Sequence, residues 1–171
     1  MKILVTGGAG YIGATICSAL YDQGHEVVVI DNLSSSVKKT PSVENFYELD
    51  IGNIEALKQI ESDHKDIDAI IHCAAKIIVP ESVSNPHIYY QENVVKTVAF
   101  LNWVKKLNIS KIIFSSTASL YKSSNDHIVS EISELNPTSP YAKTKLAMEF
   151  ILEDFCNAYQ MNCIALRYFN P

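Results

Sequence analysis

The chain has 171 residues, 47% of them hydrophobic and 19% charged, which is typical of one globular domain with a packed core. Its net charge of −5 argues against nucleic acid or an anionic membrane as a partner. No apolar run approaches the roughly 18 residues of a membrane-spanning helix, and the early glycines argue against a signal peptide. The four cysteines form no C-x-x-C spacing and are interpreted as buried thiols of a cytoplasmic protein.

Short apolar strands alternate with helical segments along the chain. We predict strands at 2–6, 26–31, 45–49, 67–75, 111–116 and 163–168, helices at 11–23, 54–62, 85–107 and 139–160, and a polar loop at 121–138. Asn85 with Pro86, and Ser139 with Pro140, predict the starts of the last two helices. This alternation predicts an α/β fold with a doubly wound parallel sheet in the order 3-2-1-4-5-6. Ligands of such sheets bind at the carboxyl ends of the strands.

The stretch TGGAGYIG connects the first strand to the first helix. Gly7, Gly10 and Gly13 have no Cβ, so the backbone there can approach a pyrophosphate at the helix N-terminus, and the strand–turn–helix context favours a dinucleotide site over a plain tight turn. Asp31 ends the second strand, where a carboxylate accepts hydrogen bonds from ribose hydroxyls and repels a 2′-phosphate. We therefore predict NAD rather than NADP. Asp50, after the third strand, is placed either to reach the adenine or to face solvent in a turn.

The stretch YAKTK puts Tyr141 and Lys145 one turn apart on the same face of the last helix. Their spacing is common by chance, so their position in the fold carries the interpretation. The helix follows the fifth strand, which ends in SSTAS. A hydroxyl of Ser115, Ser116 or Thr117 is therefore expected near Tyr141, at the ligand-binding edge of the sheet.

Seven stretches, in order, resemble the extended short-chain dehydrogenase/reductase family and, within it, the UDP-glucose 4-epimerases. They are TGGAGYIG, DNLSSS, IHCAA, VPESVSNPHIYYQENV, FSSTASLY, NPTSPYAKTKLAMEFIL and ALRYFNP. The resemblance implies that residues 1–171 form an NAD-binding Rossmann domain, and that a second, substrate-binding domain lies outside them. It also implies a homodimer through helices 85–107 and 139–160, which carry more apolar positions than one sheet-facing stripe needs.

The resemblance implies roles for individual residues. Tyr141 corresponds to the catalytic base, Lys145 to the residue that holds the nicotinamide ribose and lowers the pKa of the tyrosine, and Thr117 to the group that hydrogen-bonds the 4-oxygen of the sugar. The implied cofactor-binding residues are Gly7, Gly10, Tyr11, Ile12, Gly13, Asp31, Asn32, Asp50, Ile51, Cys73, Ala74, Ala75, Asn93, Ser115, Tyr141, Lys145 and Tyr168. The implied substrate-binding residues are Thr117, Tyr141 and Asn170, and no metal site is implied.

The implied activity is the NAD-dependent interconversion of UDP-glucose and UDP-galactose through a 4-keto intermediate. Ala118 and Ser119 stand where the dehydratases of the superfamily have Asp-Glu, so plain epimerisation is favoured. We expect residues 1–171 by themselves to be weakly active or inactive, because the UDP-sugar site is incomplete without the second domain. Two alternatives remain open: another nucleotide-sugar-modifying member of the family, and a non-catalytic NAD-binding remnant or scaffold.

Overall fold

The computed structural model describes residues 1–35, 43–122 and 128–169. Six parallel strands form one sheet in the order β3-β2-β1-β4-β5-β6, which confirms the predicted doubly wound topology. The strands are β1 (Lys2–Thr6), β2 (Glu26–Asp31), β3 (Asn45–Glu48), β4 (Ala69–His72), β5 (Lys111–Thr117) and β6 (Asn162–Tyr168). The helices are α1 (Tyr11–Asp22), α2 (Ile54–Asp63), α3 (Val79–Ser84), α4 (Pro86–Tyr90), α5 (Lys96–Lys106) and α6 (Pro140–Tyr159).

The central strands are buried on both faces, as near-continuous apolar runs require. One face packs against α2, α5 and α6 in a core that includes Phe100, Trp103 and Met148. The other face packs against α1 through Cys17. The edge strand β6 is the exception, since Ile164 is 60% exposed there.

The segment predicted as one helix over 85–107 is helical but not uniform. Pro86 occupies the first turn of α4, and a π-helical turn over Gln91–Val95 joins α4 to α5. Asn85 is the N-cap residue of α4, as predicted, although its side chain makes no capping hydrogen bond. The separate helix α3 was not predicted, although Pro80 in its first turn is a signal for a helix start.

Helix α6 begins as the sequence predicts. The Ser139 hydroxyl accepts a hydrogen bond from the Ala142 backbone N–H at 3.1 Å, and this cap satisfies one of the free donors of the first turn. Gln160 ends the helix in a left-handed conformation with φ of 54°. Tyr141 and Lys145 thus lie in the first two turns, next to the carboxyl end of β5.

Candidate functional site

A cavity of about 480 Å³ opens at the carboxyl ends of the central strands. Seventeen of the residues predicted to bind cofactor or substrate line it: Gly7, Gly10, Tyr11, Ile12, Gly13, Asp31, Asn32, Asp50, Ile51, Cys73, Ala74, Ala75, Ser115, Thr117, Tyr141, Lys145 and Tyr168. The structure therefore brings these residues together around one space. Asn93 does not line the cavity, and Asn170 lies outside the described residues.

The glycine turn is built by contacts that a side chain would prevent. Gly7 has a φ of +70°, and a Cβ on it would lie 2.7 Å from the backbone nitrogen of Ala74. A Cβ on Gly13 would overlap the carbonyl oxygen of Gly7. Gly10 caps α1 without a side chain, so backbone N–H groups face the cavity where the dinucleotide pyrophosphate is expected. The geometry of this turn fits an NAD phosphate group.

Asp31 shapes the loop that follows β2. Its carboxylate is 8% exposed and accepts hydrogen bonds from the backbone N–H groups of Ala9, at 3.0 Å, and Leu33, at 2.8 Å. Leu33 has a positive φ of 55°, which is rare for a residue with a branched side chain. The carboxylate thus joins the glycine turn to the β2 loop and still has lone pairs for ribose hydroxyls.

Asp50 is not an isolated turn residue but the centre of a polar cluster. Its carboxylate accepts hydrogen bonds from Lys96 Nζ at 2.7 Å, from Asn32 Nδ2 at 3.0 Å and from the Gly52 N–H at 2.8 Å. Burial acts to raise the pKa of Asp50, but the bonds from Lys96, Gly52 and Asn32 outweigh it and the pKa is lowered. Asp50 is therefore an anion at neutral pH.

Lys96 and Glu92 line the same end of the cavity and were missed by the sequence analysis. Lys96 Nζ lies 2.7 Å from Glu92 Oε2 as well as from Asp50. The i,i+4 spacing of Glu92 and Lys96 was visible in the sequence, but nothing in it indicated that Asp50 lies beside them.

The opposite end of the cavity holds the hydroxyl and ammonium groups. Lys145 is 3% exposed, and its Nζ donates a 2.8 Å hydrogen bond to the Ser115 carbonyl oxygen. Burial lowers the pKa of Lys145 to about 8, although Cys73 acts in the opposite direction. The Lys145 side chain therefore remains mostly charged at neutral pH.

Tyr141 shows the opposite of the shift that catalysis by a phenolate needs. Burial raises the pKa of Tyr141, while the nearby Thr117 side chain lowers that pKa by a smaller amount. The expectation that Lys145 lowers the tyrosine pKa is not what this structure shows, because the ammonium is directed to the Ser115 carbonyl. The three candidate hydroxyl groups, of Ser115, Ser116 and Thr117, all lie in the described part of the chain. Of these three, only Thr117 affects the pKa of Tyr141.

The residues that follow Thr117 support its conformation and supply no acid. The Ser119 N–H donates to Thr117 Oγ1 at 3.1 Å, and Thr117 Oγ1 donates to Ser119 Oγ at 3.1 Å. In the described part of the chain, the carboxylates that line the cavity are Asp31, Asp50 and Glu92, which bond to the glycine turn or belong to the cluster around Lys96. The Tyr141 end thus lacks the acid–base pair that expelling water requires.

Asn93 is placed behind the cavity rather than in it, which corrects its implied role as a cofactor ligand. It is 3% exposed; its side-chain oxygen accepts from the Lys76 N–H at 2.8 Å, and its amide nitrogen donates to the Lys76 carbonyl at 3.0 Å. The same nitrogen donates to Thr144 Oγ1 at 3.1 Å. Asn93 therefore links the segment after β4 to α6, because a π-helical turn directs it inward.

Lys76 and Ile77 also line the cavity, although neither was counted among the cofactor ligands. Lys76 Nζ forms an ion pair with Glu81 at 3.3 Å. Two apolar residues of the cavity lining are largely exposed, Ile77 at 60% and Phe169 at 63%. Part of the cavity mouth is therefore apolar.

Among the described residues, no cluster of three or more histidine, cysteine or acidic side chains is arranged to bind a metal ion. No helix in this part of the chain combines the length and the apolar character needed to cross a membrane.

Comparison with known proteins agrees with this geometry. A model of the NAD dependent epimerase/dehydratase family matches residues 3–171. The UDP-glucose 4-epimerase of Bacillus subtilis is 41% identical over 180 aligned positions, which cover 100% of this chain and 53% of that protein.

Two solved structures are similar over nearly the whole chain. UDP-glucose 4-epimerase from Brucella ovis, in complex with NAD, superposes with a TM-score of 0.93 at 37% identity. The superposed region covers 99% of this chain and 52% of the Brucella ovis chain. The UDP-Glc/GlcNAc 4-epimerase from Campylobacter jejuni superposes with a TM-score of 0.89 at 38% identity, over 98% of this chain and 53% of that one. The chain thus spans about half the length of the relatives that it matches.

The family match spans all but the first two residues of the chain. It agrees with the sheet order, with the glycine turn and with the prediction that the cofactor is NAD. The chain therefore belongs to the NAD-dependent epimerase/dehydratase family.

Proposed function

We propose that residues 1–171 bind NAD in the cavity and form the cofactor-binding half of a UDP-sugar 4-epimerase that interconverts UDP-glucose and UDP-galactose. The observation that carries this proposal is the convergence of Thr117, Tyr141 and Lys145 at one end of a cavity. The other end is lined by the glycine turn, Asp31 and Asp50.

NAD fits the cavity in one direction. The glycine turn would hold the pyrophosphate, Asp31 would accept hydrogen bonds from the adenosine ribose, and Asp50 with Asn32 would contact the adenine. The nicotinamide half then lies beside Cys73, Ala74, Ala75, Ser115, Lys145 and Tyr168. Asp31 next to the ribose disfavours the 2′-phosphate of NADP by electrostatic repulsion.

Tyr141 is proposed to take and return the proton of the sugar 4-hydroxyl, with Thr117 orienting that hydroxyl. NAD, when bound, would supply the hydride acceptor and then the hydride donor for this epimerisation. A phenol with an ordinary pKa near 10 needs a shift of about 3 units, or roughly 4 kcal/mol, to act as a base at neutral pH. Since burial instead raises the pKa of Tyr141, the positive charge of the bound nicotinamide and the Lys145 ammonium must together reverse the effect of burial.

The nature of the sugar rests on similarity to relatives. The Campylobacter jejuni relative is a UDP-Glc/GlcNAc 4-epimerase, so an N-acetylated UDP-sugar is a further candidate substrate of the same reaction. The absence of a carboxylate beside Tyr141 in the described cavity lining favours epimerisation over dehydration.

A second candidate function is NAD binding without turnover. The exposed apolar side chains of Ile77 and Phe169 at the cavity mouth favour it for these residues alone, because water then reaches the Tyr141 end. The relatives are about twice as long as this chain. We therefore propose that residues 1–171 correspond to the NAD-binding half of such a longer protein.

Two measurements on the purified chain test these proposals, the first for NAD binding and the second for turnover. Calorimetric titration should show that NAD binds. A coupled assay for UDP-glucose formed from UDP-galactose should show a kcat/KM reduced by about 10⁴-fold or more, because the nucleotide of the substrate is not held. Turnover near one per second, typical of working enzymes, would show that these residues suffice.

Any turnover that is found should depend on Tyr141. Tyr141→Phe should abolish it, whereas Tyr159→Phe makes the same change at the exposed end of α6 and should leave it unchanged. Equal loss in both variants would contradict the assignment of Tyr141 as the base.

We also propose a homodimer through the helices 85–107 and 139–160. Of the apolar residues on α6, Met148 and Leu152 are buried within the chain. Phe150 is 58% exposed and Val95 52% exposed, so an apolar surface does remain on both segments. Exposed apolar side chains on two adjacent helices favour a partner surface.

The proposed compartment is the cytoplasm. All four cysteines are free thiols, which is the usual state of cysteine in a reducing compartment.

A further inference from the structure

Glu149 is the centre of a polar cluster that the proposed chemistry does not use. Its Oε1 accepts hydrogen bonds from Ser116 Oγ at 2.5 Å and Arg167 Nε at 3.0 Å, and its Oε2 accepts from Arg167 Nη2 at 2.6 Å. The two charged side chains are 13% and 21% exposed. A bidentate, charge-assisted pair of this kind sets both the distance and the orientation of its partners.

The members of this cluster are neighbours of the proposed catalytic groups along the chain. Glu149 lies one helical turn after Lys145 on α6. Ser116 immediately precedes Thr117 at the end of β5, and Ser116 and Arg167 are paired across β5 and β6. The cluster therefore joins α6 to the strand end that carries Thr117.

Arg167 also contacts the loop between Thr117 and Tyr141. Its guanidinium carbon lies 5.0 Å from the centre of the Tyr121 ring, and Tyr121 pairs with Leu135 in an isolated β-bridge. This bridge closes the loop that leads from β5 to α6. The Glu149–Arg167 ion pair thus contacts the start of the segment that separates the two hydroxyl groups, through Ser116 and Tyr121.

We propose that Glu149 and Arg167 are positioning residues that hold Thr117 and Tyr141 at the separation needed for proton transfer. The two hydroxyls come from different elements, the end of β5 and the start of α6. Glu149 links α6 to the end of β5 through Ser116, and to the neighbouring strand β6 through Arg167. A displacement of about 1 Å at such a site can cost 10²-fold in rate. This inference rests on the proposed roles of Thr117 and Tyr141.

The sign of one pKa change separates positioning from a simple charge effect. Thr117 lowers the pKa of Tyr141, so misplacing Thr117 should raise that pKa. Loss of the Glu149 negative charge by itself acts in the opposite direction, because it makes the phenolate easier to form. Glu149→Gln therefore raises the pKa if Glu149 positions Thr117, and lowers it if only the charge matters.

The experiment is a fluorine NMR titration of the chain grown with fluorotyrosine, whose lower phenol pKa brings the titration into the range in which the protein is folded. The Tyr141 signal is assigned by its loss in Tyr141→Phe. Glu149→Gln should raise the Tyr141 pKa by roughly 0.5 to 1 unit, the size of one lost hydrogen bond. Arg167→Lys keeps the charge but not the bidentate geometry, so it should raise the pKa by a smaller amount.

Two further variants complete the test. Glu134→Gln makes the same substitution in an exposed ion pair with Lys122 on the same loop, and it should leave the Tyr141 pKa unchanged. Thr117→Val measures the full effect of losing the threonine hydroxyl. If Thr117→Val raises the pKa of Tyr141 and a correctly folded Glu149→Gln variant does not, the positioning role of Glu149 is wrong. The proposed pair of Thr117 and Tyr141 hydroxyls then still stands.

Other outcomes are equally decisive. If Thr117→Val has no effect, the proposed pair of Thr117 and Tyr141 fails and the positioning role fails with it. If Glu149→Gln does not fold, Arg167→Lys decides, and an unchanged Tyr141 pKa in that variant overturns the inference. A purely structural role would lower the melting temperature in both variants and leave the pKa where it was.

Discussion

Replacing Gly7 with alanine should reveal two costs that can be measured separately. Gly7 and Gly24 both have a positive φ, +70° and +75°, so alanine is strained in the same way at each. They differ in their surroundings. A Cβ at Gly24 meets no atom within 4 Å, whereas a Cβ at Gly7 would lie 2.7 Å from the Ala74 nitrogen and 2.9 Å from the Cys73 carbonyl carbon. Gly24→Ala is therefore the matched control.

The expected magnitudes follow from this difference. The left-handed conformation costs an alanine about 1–2 kcal/mol relative to glycine, partly offset by the reduced entropy of the unfolded chain. Gly24→Ala should therefore lose roughly 1 kcal/mol. Gly7→Ala must in addition displace the backbone at Ala74 by several tenths of an ångström, and overpacking of this kind costs a further 1–3 kcal/mol or so.

That displacement should also reach the cofactor site. The Cys73 N–H bonds to the Thr6 carbonyl at 3.0 Å, and the Ala74 N–H bonds to Thr6 Oγ1 at 3.3 Å. Both bonds set the distance between β1 and the segment after β4, which form adjacent walls of the cavity. We expect NAD affinity to fall more than tenfold in Gly7→Ala and to be unchanged in Gly24→Ala.

Urea unfolding followed by circular dichroism gives the stability of each variant, and calorimetric titration gives the NAD affinity. Each kcal/mol corresponds to about 2–4 °C in melting temperature for a chain of this size, so thermal unfolding provides an independent check. If Gly7→Ala is no less stable than Gly24→Ala and binds NAD as tightly as the wild type, the close approach of β1 and β4 is not what requires glycine.

Three further predictions concern the cofactor, pH and assembly. The wild-type chain should prefer NAD to NADP by more than tenfold and Asp31→Ala should narrow that preference; equal affinities in the wild type would contradict the role of the carboxylate. Because the pKa of Lys145 is lowered from 10.5 to about 8, the unfolded chain binds more protons between those values and stability rises with pH by about 1.4 kcal/mol per unit from this group. Cys17 and Cys163 have pKa values raised to about 12, so above about pH 9 these thiols make the stability fall with pH. The test is therefore the difference in urea stability between wild type and Lys145→Met, measured across this pH range. A stability difference that does not change with pH would refute the lowered pKa of Lys145. Light scattering at tens of micromolar should show a dimer that Phe150→Lys dissociates, and a wild-type monomer would exclude the proposed interface.

The strands, their order and most of the cavity could be predicted from the sequence. Runs such as KILVT and EVVVID have an apolar pattern that only a sheet buried on both faces satisfies, and the handedness of the crossovers then restricts the strand order. Because the carboxyl ends of parallel strands meet at one edge, residues such as Asp31 and Thr117 could be assigned to the same edge of the sheet without coordinates. Local chemistry was also sufficient for the Ser139 cap and the glycine turn.

Contacts between distant segments could not be predicted in this way. Asn93 was interpreted as a cofactor ligand, but a π-helical turn directs its amide to Lys76 and Thr144. The bond from Lys96 to Asp50 joins residues 46 positions apart, and no local pattern indicates it.

The electrostatics of the proposed base depended on tertiary structure most of all. The family resemblance implied that Lys145 lowers the pKa of Tyr141, yet burial raises that pKa and the Lys145 ammonium donates to the Ser115 carbonyl. Spacing along a helix determines which side chains can meet. Desolvation, in contrast, depends on every element that packs around the group, and only the folded chain determines that.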